Sequence, residues 1–151
     1  ARREEWVVVC VGGYGHAIDA EGRLIIPSKL REELGENFVV TKGLDGCLFV
    51  YPMEEWNLLH DRLKSLPLTN PNTRRLNRFF LASASGCEID KQGRVLVPTV
   101  LRDFAKIEKD VVLLGVGNRI EIWDKTAWEN ESEYGDMDEI AEQMAELGFQ
   151  I

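Results

Sequence analysis

IDAEGRLIIPSKLR, residues Ile18–Arg31, returns later in the chain as IDKQGRVLVPTVLR, residues Ile89–Arg102. Half of the aligned positions are identical: Ile18/Ile89, Asp19/Asp90, Gly22/Gly93, Arg23/Arg94, Pro27/Pro98, Leu30/Leu101 and Arg31/Arg102. Most of the rest exchange one aliphatic residue for another, or Ser28 for Thr99. The repeat extends outward. FVVTKGLDGCLFVYPMEEW (Phe38–Trp56) aligns with VVLLGVGNRIEIWDKTAW (Val111–Trp128), which sets Tyr51 on Trp123 and Trp56 on Trp128. An internal repeat decides the fold reading before any local propensity does. The chain is two copies of one small module.

Within each copy, Ile18-Asp19 or Ile89-Asp90 reads as a strand end. Glu21-Gly22 or Gln92-Gly93 reads as a tight turn whose glycine accepts positive φ. A short aliphatic strand follows, Arg23–Ile26 or Arg94–Val97, so Asp and Arg are expected to face each other across a hairpin. Pro27 and Pro98 suit the first position of a helix, where a missing N–H costs nothing. Gly35 suits the C-cap of the first of these helices. An arginine guanidinium offers a planar donor fork that matches phosphate oxygens or the O6/N7 edge of guanine. A carboxylate beside it can orient that fork, or can merely pair with it to hold the turn. One copy alone favours the merely structural pairing; retention of the pair in two diverged copies raises the functional reading.

Asp-x-x-x-Arg, present twice and each time followed by an aliphatic strand, a proline and a short helix carrying Leu-Arg, resembles the MraZ family. The tract Phe38–Trp56 and the segment RRLNRFFLASA (Arg74–Ala84) are similar to that family as well. The resemblance implies a bacterial transcriptional regulator that binds promoter direct repeats upstream of a division and cell-wall gene cluster. It also implies the swapped-hairpin fold of the AbrB and MazE DNA-binding domains, assembled as a homo-oligomeric ring. The expected fold is therefore α+β, mainly β, with two tandem AbrB-like modules forming a double-split β-barrel-type core with added helices. The implied DNA-binding set is Arg23 and Arg94, supported by Asp19 and Asp90, with Gly22, Gly93 and Lys91 in the turns. Arg31 and Arg102 are candidates for DNA or interface contact. The family commonly carries a basic residue in the turn before the glycine. Lys91 supplies it in the second turn, but the first reads Ala20-Glu21, so its tip carries a negative charge. Gly13 also stands where an acidic residue is common.

The 151 residues could form one domain or two very small ones. Modules of about sixty to seventy residues bury little core alone, so a fused pair with one core, or further association, is expected. The expected division is a disordered start at 1–11, a first AbrB-like module with a helical insert at 12–84, a second at 85–128 and an acidic tail at 129–151. No apolar run is long enough to span a membrane. The apolar part of the opening segment is too short for a signal peptide, and the family resemblance implies a cytoplasmic, nucleoid-associated protein.

A net charge of −8 is unusual for a DNA-binding chain. Eight acidic residues lie between Glu129 and Ile151 with no Lys or Arg among them, which leaves 18 acidic against 18 basic residues elsewhere. The tail explains the acidity, and the repeats can carry a locally positive face. Between the repeats, Trp56, Leu59, Leu63 and Leu66 mark a helix over Pro52–Leu66, which Leu66–Pro71 breaks. A second helix from Pro71 carries Arg74, Arg75 and Arg78, placed either on a solvated face, at a subunit interface or on DNA. In the tail, Ile140, Met144 and Leu147 suggest a short amphipathic helix.

Three cysteines without a Cys-x-x-Cys spacing and two scattered histidines give no metal site, and no cofactor is expected. Nothing combines a nucleophile, a base and an orienting group, and no glycine loop of the Walker type is present. The chain is therefore read as no enzyme, with no small-molecule substrate. The rival reading is an antitoxin-like or structural oligomeric binding module whose acidic tail clasps a protein partner.

Overall fold

Strands of the first repeat find their partners in the second. The computed structural model describes residues 10–150. The expected disordered start lies outside them for residues 1–9, and is corrected at Cys10 and Val11, which open the first strand. The elements are β1 (Cys10–Ala17), β2 (Arg23–Ile25), α1 (Ser28–Leu34), β3 (Asn37–Lys42), β4 (Leu48–Pro52), α2 (Met53–Lys64) and α3 (Pro71–Leu81). There follow β5 (Ser85–Glu88), β6 (Arg94–Leu96), α4 (Thr99–Phe104), β7 (Asp110–Gly117), β8 (Ile120–Asp124), α5 (Lys125–Glu131) and α6 (Met137–Met144). The fold is α+β, with helices contributing more residues than strands.

Six strands form one antiparallel sheet in the order β1-β7-β8-β4-β3-β5, and β2 and β6 form a separate two-stranded ribbon. β1 lies against β7, with His16 opposite Val111, and β5 lies against β3, with Cys87 opposite Phe38. These two pairings are the same contact made twice with the repeats exchanged. β2 with β6 and β4 with β8 pair equivalent strands, so the repeats are related by an approximate twofold relation. Among the described residues β1 and β5 remain edges, and hydrogen bonding does not close the sheet into a barrel.

The expected hairpin geometry needs correction here. The strands flanking each Asp–Arg turn do not pair with each other: β1 goes to β7 and β2 crosses to β6. The sequence shows two strands and a tight turn, for which local pairing is the usual outcome. What overrides it is burial. Leu24, Ile26, Val95 and Val97 are all at most 1 % exposed, and pairing β2 with β6 puts all four in one core.

That core takes Leu30 and Leu34 from α1, Leu101 from α4, and Phe38, Val40, Leu48, Val50, Leu113, Ile120 and Ile122 from the sheet. The opposite face follows from the two-residue period of a strand. Along β4, Leu48 and Val50 face the first core, while Phe49 and Tyr51 join Trp123, Leu63 of α2 and Phe80 of α3 in a second, aromatic one. Tyr51 meets Trp56 at 6.2 Å and Trp123 meets Trp128 at 5.5 Å between ring centroids. The aligned aromatic pairs of the repeat thus make equivalent contacts.

The helix ends follow local rules with one shift. Pro27 and Pro98 sit at the N-cap rather than the first helical position, in extended backbone with ψ of 141° and 147°. Gly35 is the C-cap of α1, with its N–H on the Arg31 carbonyl. Pro52 precedes α2, and Pro71 opens α3 after Asn70, whose side chain accepts from the Asn72 N–H. Two α-helices follow β8 among the described residues. α5 continues from β8 as α2 does from β4, and α6 is the amphipathic segment with Ile140 half-buried and Met137 and Met144 exposed.

Candidate nucleic-acid interface

Both Asp–Arg turns are built by the same bonds. The Asp19 carboxylate accepts from the Glu21 N–H at 3.0 Å and the Arg23 N–H at 2.8 Å through one oxygen, and from Arg23 Nε at 2.9 Å through the other. Asp90 accepts from Gln92 N–H, Arg94 N–H and Arg94 Nε, each at 2.9 Å. The Gly22 and Gly93 N–H groups close the turns on the Asp19 and Asp90 carbonyls at 3.0 Å. A carboxylate that accepts several N–H bonds is stabilised as the anion. The Arg23 backbone N–H, then its guanidinium and the Glu21 N–H, hold the Asp19 carboxyl below its usual value, and Arg94 and Gln92 do the same at Asp90. Bonding to Asp19 in turn raises Arg23, and Asp90 of the other turn adds to the shift. Both arginine side chains are partly exposed.

The two turns differ in one partner. Arg23 Nη2 pairs with the Glu21 carboxylate at 3.1 Å, whereas Arg94 Nη2 donates to the neutral Gln92 Oε1 at 2.6 Å. The first guanidinium is shared by two carboxylates and the second by one carboxylate and one amide. Lys91 lies exposed in the second turn.

The ribbon carries both arginines outward. Arg23 stands opposite Leu96 and Ile25 opposite Arg94, so these four side chains share one face while Leu24 and Val95 point inward. Ile25 and Leu96 are 47 % and 57 % exposed, which places two aliphatic side chains in water between the two guanidiniums. Neither was marked by the motif. Their signal was the alternation Arg-x-Ile and Arg-x-Leu, which puts each on the arginine's face once the segment is a strand.

Arg31 and Arg102 face the protein. Gly93, at φ +78°, leaves room where an added Cβ would lie 2.5 Å from Arg31 Nη1, and a Cβ on Gly22, at φ +93°, would lie 2.8 Å from Arg102 Nε and Cζ. Arg102 Nε donates to the Val97 carbonyl at 2.9 Å and its Nη2 to Thr99 Oγ1 at 3.0 Å. Arg74, Arg75 and Arg78 lie on α3, which covers the other face of the sheet, so the structure does not bring them to the ribbon. Arg74 donates to the Leu68 carbonyl and Arg75 to Asn72 Oδ1.

A further charged cluster went unread in the sequence. Arg119 bonds Glu121 at 2.7 Å and lies 4.3 Å above the Phe49 ring, while Trp123 Nε1 donates to the other Glu121 oxygen at 2.9 Å. It ties β8 to the aromatic core. Burial, and after it the Glu121 carboxylate, pushes the nearby Cys47 thiol up to about 12. No group of three or more His, Cys, Asp or Glu side chains is placed to hold a metal among the described residues. None of the described helices is long and apolar enough to cross a membrane.

Comparison with known proteins matches this architecture twice. The family described as "MraZ protein, putative antitoxin-like" matches residues 10–79 and again residues 80–148. A Thermoanaerobacter sp. protein named transcriptional regulator MraZ is 58 % identical over 141 residues, covering 92 % of this chain and 99 % of the relative. Proteins of the same name from Caldanaerobacter subterraneus subsp. tengcongensis and Clostridium acetobutylicum are 57 % and 55 % identical. They cover 89 % and 92 % of this chain, and 95 % and 99 % of their own lengths. These names describe regulators of transcription, not enzymes. With both repeats matched and most of its length aligned, the chain belongs to the MraZ family.

Proposed function

We propose that the chain is a sequence-specific DNA-binding transcriptional regulator whose β2–β6 ribbon and adjoining Asp–Arg turns form the DNA-reading surface. The observation that carries this reading is the shared outward face of Arg23, Ile25, Arg94 and Leu96. A two-stranded ribbon fits the major groove of B-DNA, arginine matches guanine there, and aliphatic groups match the thymine methyl. Asp19 and Asp90 hold each guanidinium in place before binding, which lowers the entropy lost on contact. Lys91, exposed in the second turn, is suited to phosphate. The names borne by the relatives agree with such a role.

Several finer points belong to the same proposal. The targets are promoter direct repeats upstream of a division and cell-wall gene cluster, and the protein works in the cytoplasm on the nucleoid. A homo-oligomeric ring would present several turns to successive repeats, and linking sites multiplies affinity by about 10²–10⁴. Surfaces suited to head-to-tail contact are present. α3 offers Arg74, Arg75 and Arg78 beside exposed Leu68 and Leu76, and the acidic tail offers exposed Met137, Met144 and Leu147.

The test is titration of a fluorescent duplex, selected from a randomised pool by the full chain, across a salt series. Arg23→Ala and Arg94→Ala are each expected to weaken binding, by about 1–3 kcal/mol for a bidentate base contact. The loss is expected to be larger for Arg94, because its Nη2 partner Gln92 is neutral, whereas the Glu21 carboxylate offsets the Arg23 charge and repels DNA. Salt-independent binding, or a double variant that binds like wild type, refutes the reading.

A further inference from the structure

We infer that Arg31 and Arg102 are crossed positioning residues, each fixing the DNA-reading turn of the opposite repeat. This rests on the reading of Arg23 and Arg94 given above. Arg31 belongs to the first repeat, yet its guanidinium lies against Gly93, the residue before Arg94. Arg102 belongs to the second, yet its guanidinium lies against Gly22, the residue before Arg23. Backbone bonds cross in the same sense: Ile26 N–H donates to the Gly93 carbonyl at 3.0 Å, and Val97 N–H donates to the Gly22 carbonyl at 2.8 Å.

Each turn is thus held from two sides. Its own Asp fixes the near side, through the N–H groups that follow it. The far side, where the chain passes from glycine to arginine, rests on a guanidinium that the other repeat supplies. A planar guanidinium fits there because the glycine has no Cβ; at Gly22 even a methyl group would meet both the Arg102 head and the Val97 carbonyl oxygen at 2.9 Å. A displaced turn moves its reading arginine with it, and small displacements of a recognition group carry large losses.

The two supports are unequal. Arg102 is anchored by Val97 and Thr99, whereas Arg31 Nε is buried with no hydrogen-bond partner among the described residues. Arg31 Nε is turned away from solvent, which separates its role from phosphate contact.

The experiment is a double-mutant cycle on the duplex selected by the full wild-type chain, read at low salt where weak binding stays measurable. Arg31→Met and Arg102→Met keep the aliphatic stem and remove the fork. Arg31→Met is expected to weaken binding by about tenfold in wild type and in Arg23→Ala, and by less than about twofold in Arg94→Ala. Arg102→Met is expected to show the reverse dependence. The slope of log K against log salt should stay unchanged, where loss of a phosphate contact lowers it by about 1. Equal losses in both arginine backgrounds, or a reduced slope, overturn the inference. Should Arg31→Met fail to fold, Arg31→Lys keeps the charge without the planar fork and is expected to show the same dependence more weakly.

Failure of the DNA reading itself looks different, because Arg23→Ala and Arg94→Ala would then bind as wild type does. Amide hydrogen exchange decides the support in that case. Arg31→Met is expected to speed exchange at Gly93 and Arg94 and leave Gly22 and Arg23 as they were. Equal exchange changes at both turns overturn it.

Discussion

At Asp19 and Asp90 one carboxylate oxygen takes two backbone N–H groups and the other takes a guanidinium Nε. The spacing Asp-x-x-x-Arg already shows that such a pair can form, and its repetition shows that the pair matters to the molecule. Its details were hidden, because the backbone N–H groups of a turn carry no residue signature. Both carboxyls are held below the ordinary aspartate value of 3.8, so their stabilising contribution is complete above that value and is lost as pH falls through the lowered one. The amide resonances of Glu21, Arg23, Gln92 and Arg94 are therefore expected to titrate with midpoints below 3.8. A midpoint at or above 3.8 contradicts the geometry. The supports beneath the turns were beyond sequence reading for another reason. Arg31 and Arg102 appear as helix arginines within their own repeat, and only the crossing of the chain puts each under the other glycine.

Among the elements, the short strands were legible and their partners were not. The aliphatic runs after Arg23 and Arg94 mark β2 and β6, and apolar spacing with Pro52 and Pro71 marks the helices α2 and α3. Pairing is decided by where Leu24 and Val95 become buried, which depends on both repeats at once. The join between β3 and α3 shows the same dependence on distant partners. Thr41 is fully buried, and its hydroxyl donates to the Phe80 carbonyl at 2.8 Å beside Ser83, which bonds the Phe79 carbonyl at 2.7 Å. Thr41→Val keeps the shape and removes the donor from the Phe80 carbonyl. It is expected to lower stability by about 1–2 kcal/mol in denaturant unfolding, with DNA affinity unchanged. An unchanged midpoint contradicts the role given to this hydroxyl.

For the whole molecule, the repeat foretold that neither half would suffice, and the shared core shows how. Half of the ribbon, one partner of β1 and one partner of β3 lie in the opposite repeat. A fragment of residues 10–79 is expected to be unfolded or to associate with its own copy, as judged by circular dichroism and sedimentation; a folded monomer contradicts the exchange of strands. The even balance of charge outside the tail was also legible, but the outward position of Ile25 and Leu96 needed the ribbon's register. That register has a consequence for direction. Two identical subunits meeting across a true dyad read a palindrome and cannot tell one end from the other. Joined in one chain, the copies are free to drift apart, and Glu21 against Gln92 records such a drift at the reading tips. On the proposed DNA reading, one end of the reader would be stronger than the other, and the molecule would lie on DNA as an arrow. An arrow suits a row of repeats that all run the same way, where a palindrome reader has no preferred heading.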